Sequence, residues 1–467
     1  MRQALVPDRT LLDQIDRDTL SPMMKQYVEQ KDKRPECLIF VLMGDFYELF
    51  LDDAKIAAKE LEITLTARDA GQKERVPMAG VPHHSADRYL NRLVEKGYRV
   101  AVCEQVEDPA QAKGLVKRDV VRVVTPGTIT DTSVLLDNEN NYLVSVFAVQ
   151  NYFGIASCDV TTGDFQATQI ITGAVEGKLR DEIMKLAPAE ILCNQDFLHL
   201  SNTSKLDQEK AFTYTVLPDE AFVEDADAPY WTDEAIPGSL SMQAAASLAY
   251  YIAETQQQIP VHLKPCRFYE IETHMQLGET ARRNLELAQT IRDQQRRGSL
   301  IWVLDRCVTS MGSRLLKRWL DRPLLNLRDI HARQDAIEVL LNDYMTRTNL
   351  REALGDIYDI ERLAGKLGLG SINARELSSL TQALSKIPEL LKLLSPVSEQ
   401  SELLQRISTE IHPEDELTRQ LQDGLSDDLT ISLTEGGLIK KGYHPEVDAL
   451  REAAEEGTKY IFSLEAK

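Results

Sequence analysis

Residues 37–50 read CLIFVLMGDFYELF, and the architecture of the surrounding chain follows from how this stretch is divided. Cys37 to Leu42 is a continuous apolar run of strand length, and Gly44 ends it. Residues 52–63, DDAKIAAKELEI, carry apolar positions at helical spacing, so the order is strand, turn, helix. Upstream, Ser21-Pro22 precedes MMKQYVEQK, which predicts an N-cap, a proline at the first helical position and an amphipathic helix with Met24, Tyr27 and Val28 on its apolar side. Downstream, Tyr98 to Cys103 and Asp119 to Val124 are strand candidates, and SADRYLNRLVEK between Pro82-His83-His84 and Gly97 is a helix. Residues 18–130 therefore predict a small α/β domain.

After Pro126-Gly127 and the polar run 137–141, strand-like segments are broken by turn residues at Gln150-Asn151 and Thr162-Gly163. With a helix expected over 174–188 and a strand over 190–193, residues 138–265 predict a second α/β domain, in which 199–240 receive no assignment. From Glu279 the pattern becomes helical. ETARRNLELAQTIRDQQRR predicts one helix closed by Arg296-Arg297, with Gly298 as its stop and Ser299 as the next N-cap. Leucine-rich helices then run to about residue 425, broken at Asp321-Arg322-Pro323, and Asn373 with Glu376 forms a capping box. This all-α segment is placed at 275–435. Residues 436–467 end in an amphipathic helix with no C-cap after it, so the chain is expected to be cut from a longer one.

The composition suits a soluble multidomain protein: 467 residues, 43% hydrophobic and 27% charged. No 18-residue uncharged apolar stretch and no signal-peptide core occur, and a cytoplasmic location is expected. The cysteines Cys37, Cys103, Cys158, Cys193, Cys266 and Cys307 form no CxxC and no zinc spacing, so they are expected to be reduced and mostly buried. A net charge of −21 argues against a surface that binds polyanions throughout. Residues 1–130 hold 20 Lys and Arg against 21 Asp and Glu, leaving −20 for the rest, so any nucleic acid is expected on the first segment.

In Met43 to Phe50, two aromatics and a carboxylate leave the strand together. One reading packs Phe46, Tyr47, Leu49 and Phe50 against the following helix. The other exposes Phe46, whose ring would intercalate at a weak base step while the neighbouring carboxylate hydrogen-bonds a base edge. Lys113, Lys117, Arg118 and Arg122 form a basic run that suits either phosphate contacts or a solvated face. His83-His84 lacks partners at metal-ligand spacing and reads as the start of a helix. Gly-Lys occurs at 177–178 and 365–366, each followed by Leu, so no GxxxxGK[ST] phosphate loop is present in this sequence.

The series SPMMKQYVEQ, LIFVLMGDFYELFLDDAK, VPMAGVPHHSADRYLNRLVEKGYRVAVCEQVEDP and VVRVVTPGT resembles the N-terminal domain of MutS-family DNA mismatch-repair proteins. ASCDVTTGDF resembles that family's connector, and ETARRNLEL with GSLIWVLDRCVTSMGSRLLKRWLDRPL resembles the start of its helical core. The resemblance implies a mismatch-recognition domain, an RNase H-like connector and the first part of the core, or lever, with 436–467 leading toward a clamp that lies beyond this sequence. It places the family's Phe-x-Glu mismatch reader on Phe46 and Glu48, with Tyr47 as packing. VPMAGVP looks like the family's loop near DNA, making Met78, with Lys113 and Lys117, candidate DNA neighbours. Duplex DNA with a mismatch or small loop, MutL, a second copy of the chain, and ATP with magnesium on a C-terminal ATPase domain are implied for the parent protein, and no cofactor for this chain. An RNase H-like connector raises a nuclease alternative on Asp159, Asp164 and Asp181, but two-metal hydrolysis needs converging carboxylates and these lie in turns and on a helix. A further alternative is an interaction module that presents the connector to MutL without binding DNA.

Overall fold

The structure, a computed structural model, describes residues 2–3, 5–7, 9–71, 75–107, 116–131, 133–203, 212–225, 227–430 and 436–465. Arg2–Gln3 (β1) precedes Thr10–Gln14 (α1) and Pro22–Lys33 (α2). Ser21 caps α2 as its sequence requires, its hydroxyl accepting from the Met24 amide, and Met24, Tyr27 and Val28 are buried. Cys37–Met43 (β2) and Phe46–Phe50 (β3) follow, then Leu51–Leu61 (α3), Thr66–Arg68 (β4), Val76–Pro82 (β5), Ala86–Glu95 (α4), Arg99–Gln105 (β6) and Arg118–Val124 (β7).

Strands β2 to β7 form one sheet in the order β4-β5-β3-β2-β6-β7, with β2 parallel to β6 and antiparallel to β3. Side chains alternate across it. Leu38, Phe40, Tyr47 and Leu49 pack on α3 and α4, while Cys37, Ile39, Val41 and Phe50 pack on α1 and α2. The corner from β3 to α3 is held by buried carboxylates. Asp53 accepts from Lys31 Nζ and Tyr27 Oη at 2.7 Å each and from the Ile39 amide at 3.0 Å, and Asp52 accepts from the amides of Leu11 and Leu12.

Residues 76–82, expected as a surface loop, are instead the strand β5, paired to β3 on one side and β4 on the other. The prolines are tolerated because Pro77 faces only the three-residue edge strand β4 and Pro82 ends the strand.

The second sheet, β1-β12-β11-β8-β9-β10-β13, is built from Leu143–Val149 (β8), Tyr152–Asp159 (β9), Asp164–Ile170 (β10), Glu190–Cys193 (β11), Thr213–Val216 (β12) and Arg267–Phe268 (β13). Its turns fall at 150–151 and 160–163, where the turn residues predict them. Gly163 has φ +69°, and a Cβ there would meet the His262 carbonyl oxygen at 2.2 Å. Val175–Leu186 (α5), Gln195–Thr203 (α6) and Leu240–Gln256 (α7) complete this part. The two sheets are bolted together at Glu190: one carboxylate oxygen accepts from Thr125 Oγ1 at 2.6 Å, the other from Thr215 Oγ1 at 2.6 Å and Tyr251 Oη at 2.9 Å. Such a fully satisfied buried carboxylate fixes the orientation of its neighbours.

The chain divides into two compact units, residues 1–303 with 320–322, and 304–319 with 323–467. The helices of the remaining chain are Glu279–Asn284 (α8), Leu300–Leu304 (α9), Ser310–Asp321 (α10), Leu327–Asn342 (α11), Tyr344–Gly355 (α12), Ile360–Gly368 (α13), Ala374–Ser398 (α14), Glu402–Glu410 (α15), Asp415–Gly424 (α16) and Pro445–Glu465 (α17). The single helix expected over 279–297 is not formed: α8 stops at Asn284 and Glu286 adopts φ +47°. The reason is capping. The carbonyls of Glu286 and Leu287 accept from the Leu300 and Ile301 amides at 2.9 Å, first-turn donors of α9 that otherwise lack partners. Ser299 serves as the expected N-cap, its hydroxyl accepting from the Trp302 amide at 3.4 Å. The capping box of α14 forms with both Asn373–Glu376 hydrogen bonds at 3.0 Å. Within the second unit, Ala336, Leu394, Val397 and Leu404 make a small core, and the buried Arg314 pairs with Asp359 and Glu361.

Candidate nucleic-acid interface

Gly44 and Asp45 close a two-residue hairpin between β2 and β3, with Met43 opposite Phe46. Gly44 has φ +60°, the conformation demanded at the first position of a type II′ turn. The Asp45 carbonyl accepts from the His83 amide at 2.8 Å, so the turn is tied to the residue that follows β5.

Strand alternation then sorts the side chains. Tyr47, Leu49 and Phe50 are 4% exposed or less, whereas Phe46 is 47% exposed. Phe46, Glu48 and Phe50 share a face of β3, but α2 covers only the Phe50 end, where Tyr27 meets the Phe50 ring edge-on at 5.2 Å. Phe46, at the hairpin end, stays exposed. Tyr47 points the other way, donates to Glu104 Oε1 at 2.6 Å and stacks on His83 at 5.5 Å. Burial raises its phenol well above the ordinary tyrosine range, and the Glu104 hydrogen bond adds to this, so Tyr47 is a neutral packing residue.

Across the ladder, Glu48 faces Gly80 and Phe50 faces Met78. Phe46, Glu48, Met78 and Gly80, with Thr66 and the 62–64 segment, line a groove on this face. Met78 is half-buried and forms part of its floor. The Glu48 side chain is 16% exposed and is paired with the Arg68 guanidinium, itself 44% exposed on β4. The α3 N-terminus takes no side-chain cap, so Glu48 has no role there. Arg68, the partner of the groove residue Glu48, is what sequence reading missed: three residues of β4 are too few for a periodicity signal, and the pairing follows only from the order β4-β5-β3.

The basic run separates. Arg118 is 8% exposed, and its guanidinium donates to the Leu42 and Val116 carbonyls, so it is an internal staple rather than a phosphate ligand. Arg122 is paired with Asp87 at 2.9 Å. Lys117 precedes β7 at the end of the sheet where the 44–45 hairpin turns; its amide donates to Glu107 and its ammonium lies 3.8 Å from Asp119. Lys113 lies outside the described residues.

The carboxylates of the nuclease alternative are engaged separately. Asp159 accepts from Asn140, the Asn141 amide and Thr161, Asp164 from Gln166 and Arg267, and Asp181 from the Glu279 amide. Among the described residues no group of three or more His, Cys, Asp or Glu side chains could hold a metal ion. Gly177-Lys178 and Gly365-Lys366 lie inside α5 and α13. Five cysteines are buried and Cys307 is exposed, all as free thiols. Among the described residues no helix is long and apolar enough to cross a membrane.

An α/β sheet domain, a second α/β sheet and then a run of helices define a multidomain class in which two mixed domains precede a helical part. The chain matches the family models for MutS domain I over residues 21–133, MutS domain II over 141–265 and MutS domain III over 280–466. It is 44% identical over 456 residues to the DNA mismatch repair protein MutS of Ruminiclostridium cellulolyticum, covering 96% of this chain and 52% of the relative. The protein of the same name from Acetivibrio thermocellus is 44% identical over 457 residues with the same shares covered, and that of Lachnoclostridium phytofermentans is 40% identical over 459 residues, covering 96% of this chain and 49% of the relative. The chain belongs to the MutS family. It spans about half the length of the curated relatives it matches.

Proposed function

We propose that this chain recognises mispaired or unpaired bases in duplex DNA, with Phe46 as the wedge and Glu48 as the group that tests the displaced base, and that it serves DNA mismatch repair. The observation that carries this reading is the exposure of Phe46 at the tip of a hairpin whose neighbouring large side chains are buried. A mispaired base costs less to unstack than a paired one, so a wedge that kinks the duplex selects weak steps without reading sequence. The carboxylate then discriminates. It is unfavourable beside the phosphates of ordinary duplex, and that penalty is offset where a displaced base donates to it. Met78 and Lys117 are assigned as groove floor and phosphate-side neighbour, and Lys113 as a candidate in the segment joining β6 to β7.

In this reading residues 18–130 are the recognition domain, 138–265 an RNase H-like connector, 275–435 the helical core and 436–467 the start of the lever helix. MutL and a second copy of the chain are proposed partners of the whole protein; the acidic balance of residues 131–467 suits protein contacts better than DNA there. ATP and magnesium are proposed for the whole protein, and no residue of this chain is assigned to them. The test is competition binding of the chain to a labelled duplex with one mismatch against its matched counterpart at fixed salt. Tighter binding to the mismatch is expected, and equal binding rejects the reading.

A further inference from the structure

We propose that Arg68 is a specificity-determining residue of the Phe46–Glu48 groove. Its guanidinium neutralises Glu48 while the groove is empty, keeps hold of it while also reaching a backbone phosphate on matched duplex, and gives it up to the displaced base at a mismatch. The inference rests on the recognition reading above and adds to it the residue that sets the resting state of Glu48.

Three observations carry it. First, Arg68 Nη1 donates to Glu48 Oε2, and among the described residues no other hydrogen bond reaches that carboxylate. The partner of the discriminating group is thus a cation from β4 rather than a neighbour on β3. Second, Arg68 sits on the outermost strand of its sheet, where all three residues of β4 are exposed, while Glu48 is the more enclosed member of the pair. A planar guanidinium carries five donors, more than one carboxylate accepts, so the same group suits an incoming phosphate. Third, Arg68 is the exposed member of the pair, so its hold on Glu48 is weak enough to be given up where a base donates instead. On matched duplex the guanidinium serves both anions, holding Glu48 while it reaches a phosphate, and so offsets part of the carboxylate's repulsion. At a mismatch the displaced base supplies Glu48 with its donor, and Arg68 serves the phosphate alone. The phosphate contact adds affinity everywhere, and the hold on Glu48 adds it mainly on matched DNA.

The test compares this chain with Arg68→Ala, Glu48→Ala and the double variant, each titrated with matched and single-mismatch duplexes at one low salt concentration. Arg68→Ala is expected to weaken both complexes but the matched one more, widening the mismatch-to-matched ratio about two- to five-fold. In the Glu48→Ala background the same substitution should weaken both duplexes equally and leave the ratio unchanged. Arg68→Lys, which keeps the charge without the fork, should fall between wild type and Ala. A ratio unmoved by Arg68→Ala in both backgrounds would make Arg68 a plain phosphate contact and overturn the proposal alone. Failure of the unsubstituted chain to bind or to prefer the mismatch would instead reject the recognition reading.

Discussion

Gly80 stands directly opposite Glu48 in the β3–β5 ladder, and the side chain it lacks keeps the surface beside Phe46 open. A Cβ at this position would find the Tyr47 carbonyl oxygen at 3.4 Å, Glu48 Cγ at 3.8 Å and Phe46 Cδ1 at 3.9 Å, all ordinary contacts. The fold therefore tolerates a larger residue where the groove does not. Gly80→Val should leave thermal unfolding nearly unchanged, since valine suits a strand. Mismatch binding should weaken by about an order of magnitude, or about 1.4 kcal/mol. A variant that unfolds early would show instead that Gly80 serves the sheet.

Glu48→Ala removes the discriminating carboxylate and frees the Arg68 guanidinium for phosphate. Matched duplex should bind more tightly by a larger factor than mismatched duplex, so affinity rises while preference falls. Glu48→Gln, neutral yet able to hydrogen-bond, should retain more of the base contact and lie between wild type and Ala. Competition titrations with both duplexes at one salt concentration read this directly. Equal weakening of both would assign Glu48 to the scaffold.

In the first unit, Arg322 lies over the Tyr269 ring, 4.2 Å from its centroid, and bonds Glu182 at 2.6 Å, with Glu182 2% exposed. Burial opposes the Glu182 charge, but Arg322 and Lys185 outweigh it and hold the carboxyl below its ordinary range. A carboxylate depressed in the folded state adds stability that is present above its unfolded pKa, near 4.3, and is lost as pH falls through the folded value. Arg322→Met should cost about 3 kcal/mol at neutral pH by leaving the buried Glu182 carboxylate to Lys185 and Tyr269. Glu182→Gln should flatten the acid side of the stability curve below about pH 4. Chemical unfolding of each variant across pH, monitored on the first unit's transition, checks both signs.

Much of this arrangement was legible in the residues. The hairpin at Gly44, the Ser21-Pro22 helix start and the Asn373–Glu376 box are local signals, written within four residues of where they act. The features that escaped depend on partners distant in the chain. VPMAGVP resembles a loop because two prolines and a glycine mask a strand that pairs with β3 some thirty residues earlier. Residues 285–297 have a helical pattern, yet the carbonyls of Glu286 and Leu287 go to the amides of α9. Arg118 looks like its basic neighbours until the Leu42 carbonyl is seen beneath it. Phe46 was legible as either packed on the following helix or exposed; α3 packs on the Tyr47–Leu49 face of β3, so Phe46 is exposed, and its action on DNA is the proposal that Phe46→Ala tests.

The central claim is that Phe46 acts on DNA and not on the fold. It is tested most directly by measuring Phe46→Ala for unfolding free energy and for the ratio of mismatched to matched duplex affinity, side by side with the unsubstituted chain. Truncating a core Phe costs roughly 3–5 kcal/mol. Here the loss of stability should stay under about 1 kcal/mol, because nearly half of the Phe46 surface is already in water. The affinity ratio should fall to unity. A destabilisation of core size, or a preference for mismatched duplex that survives the loss of the ring, would contradict the account.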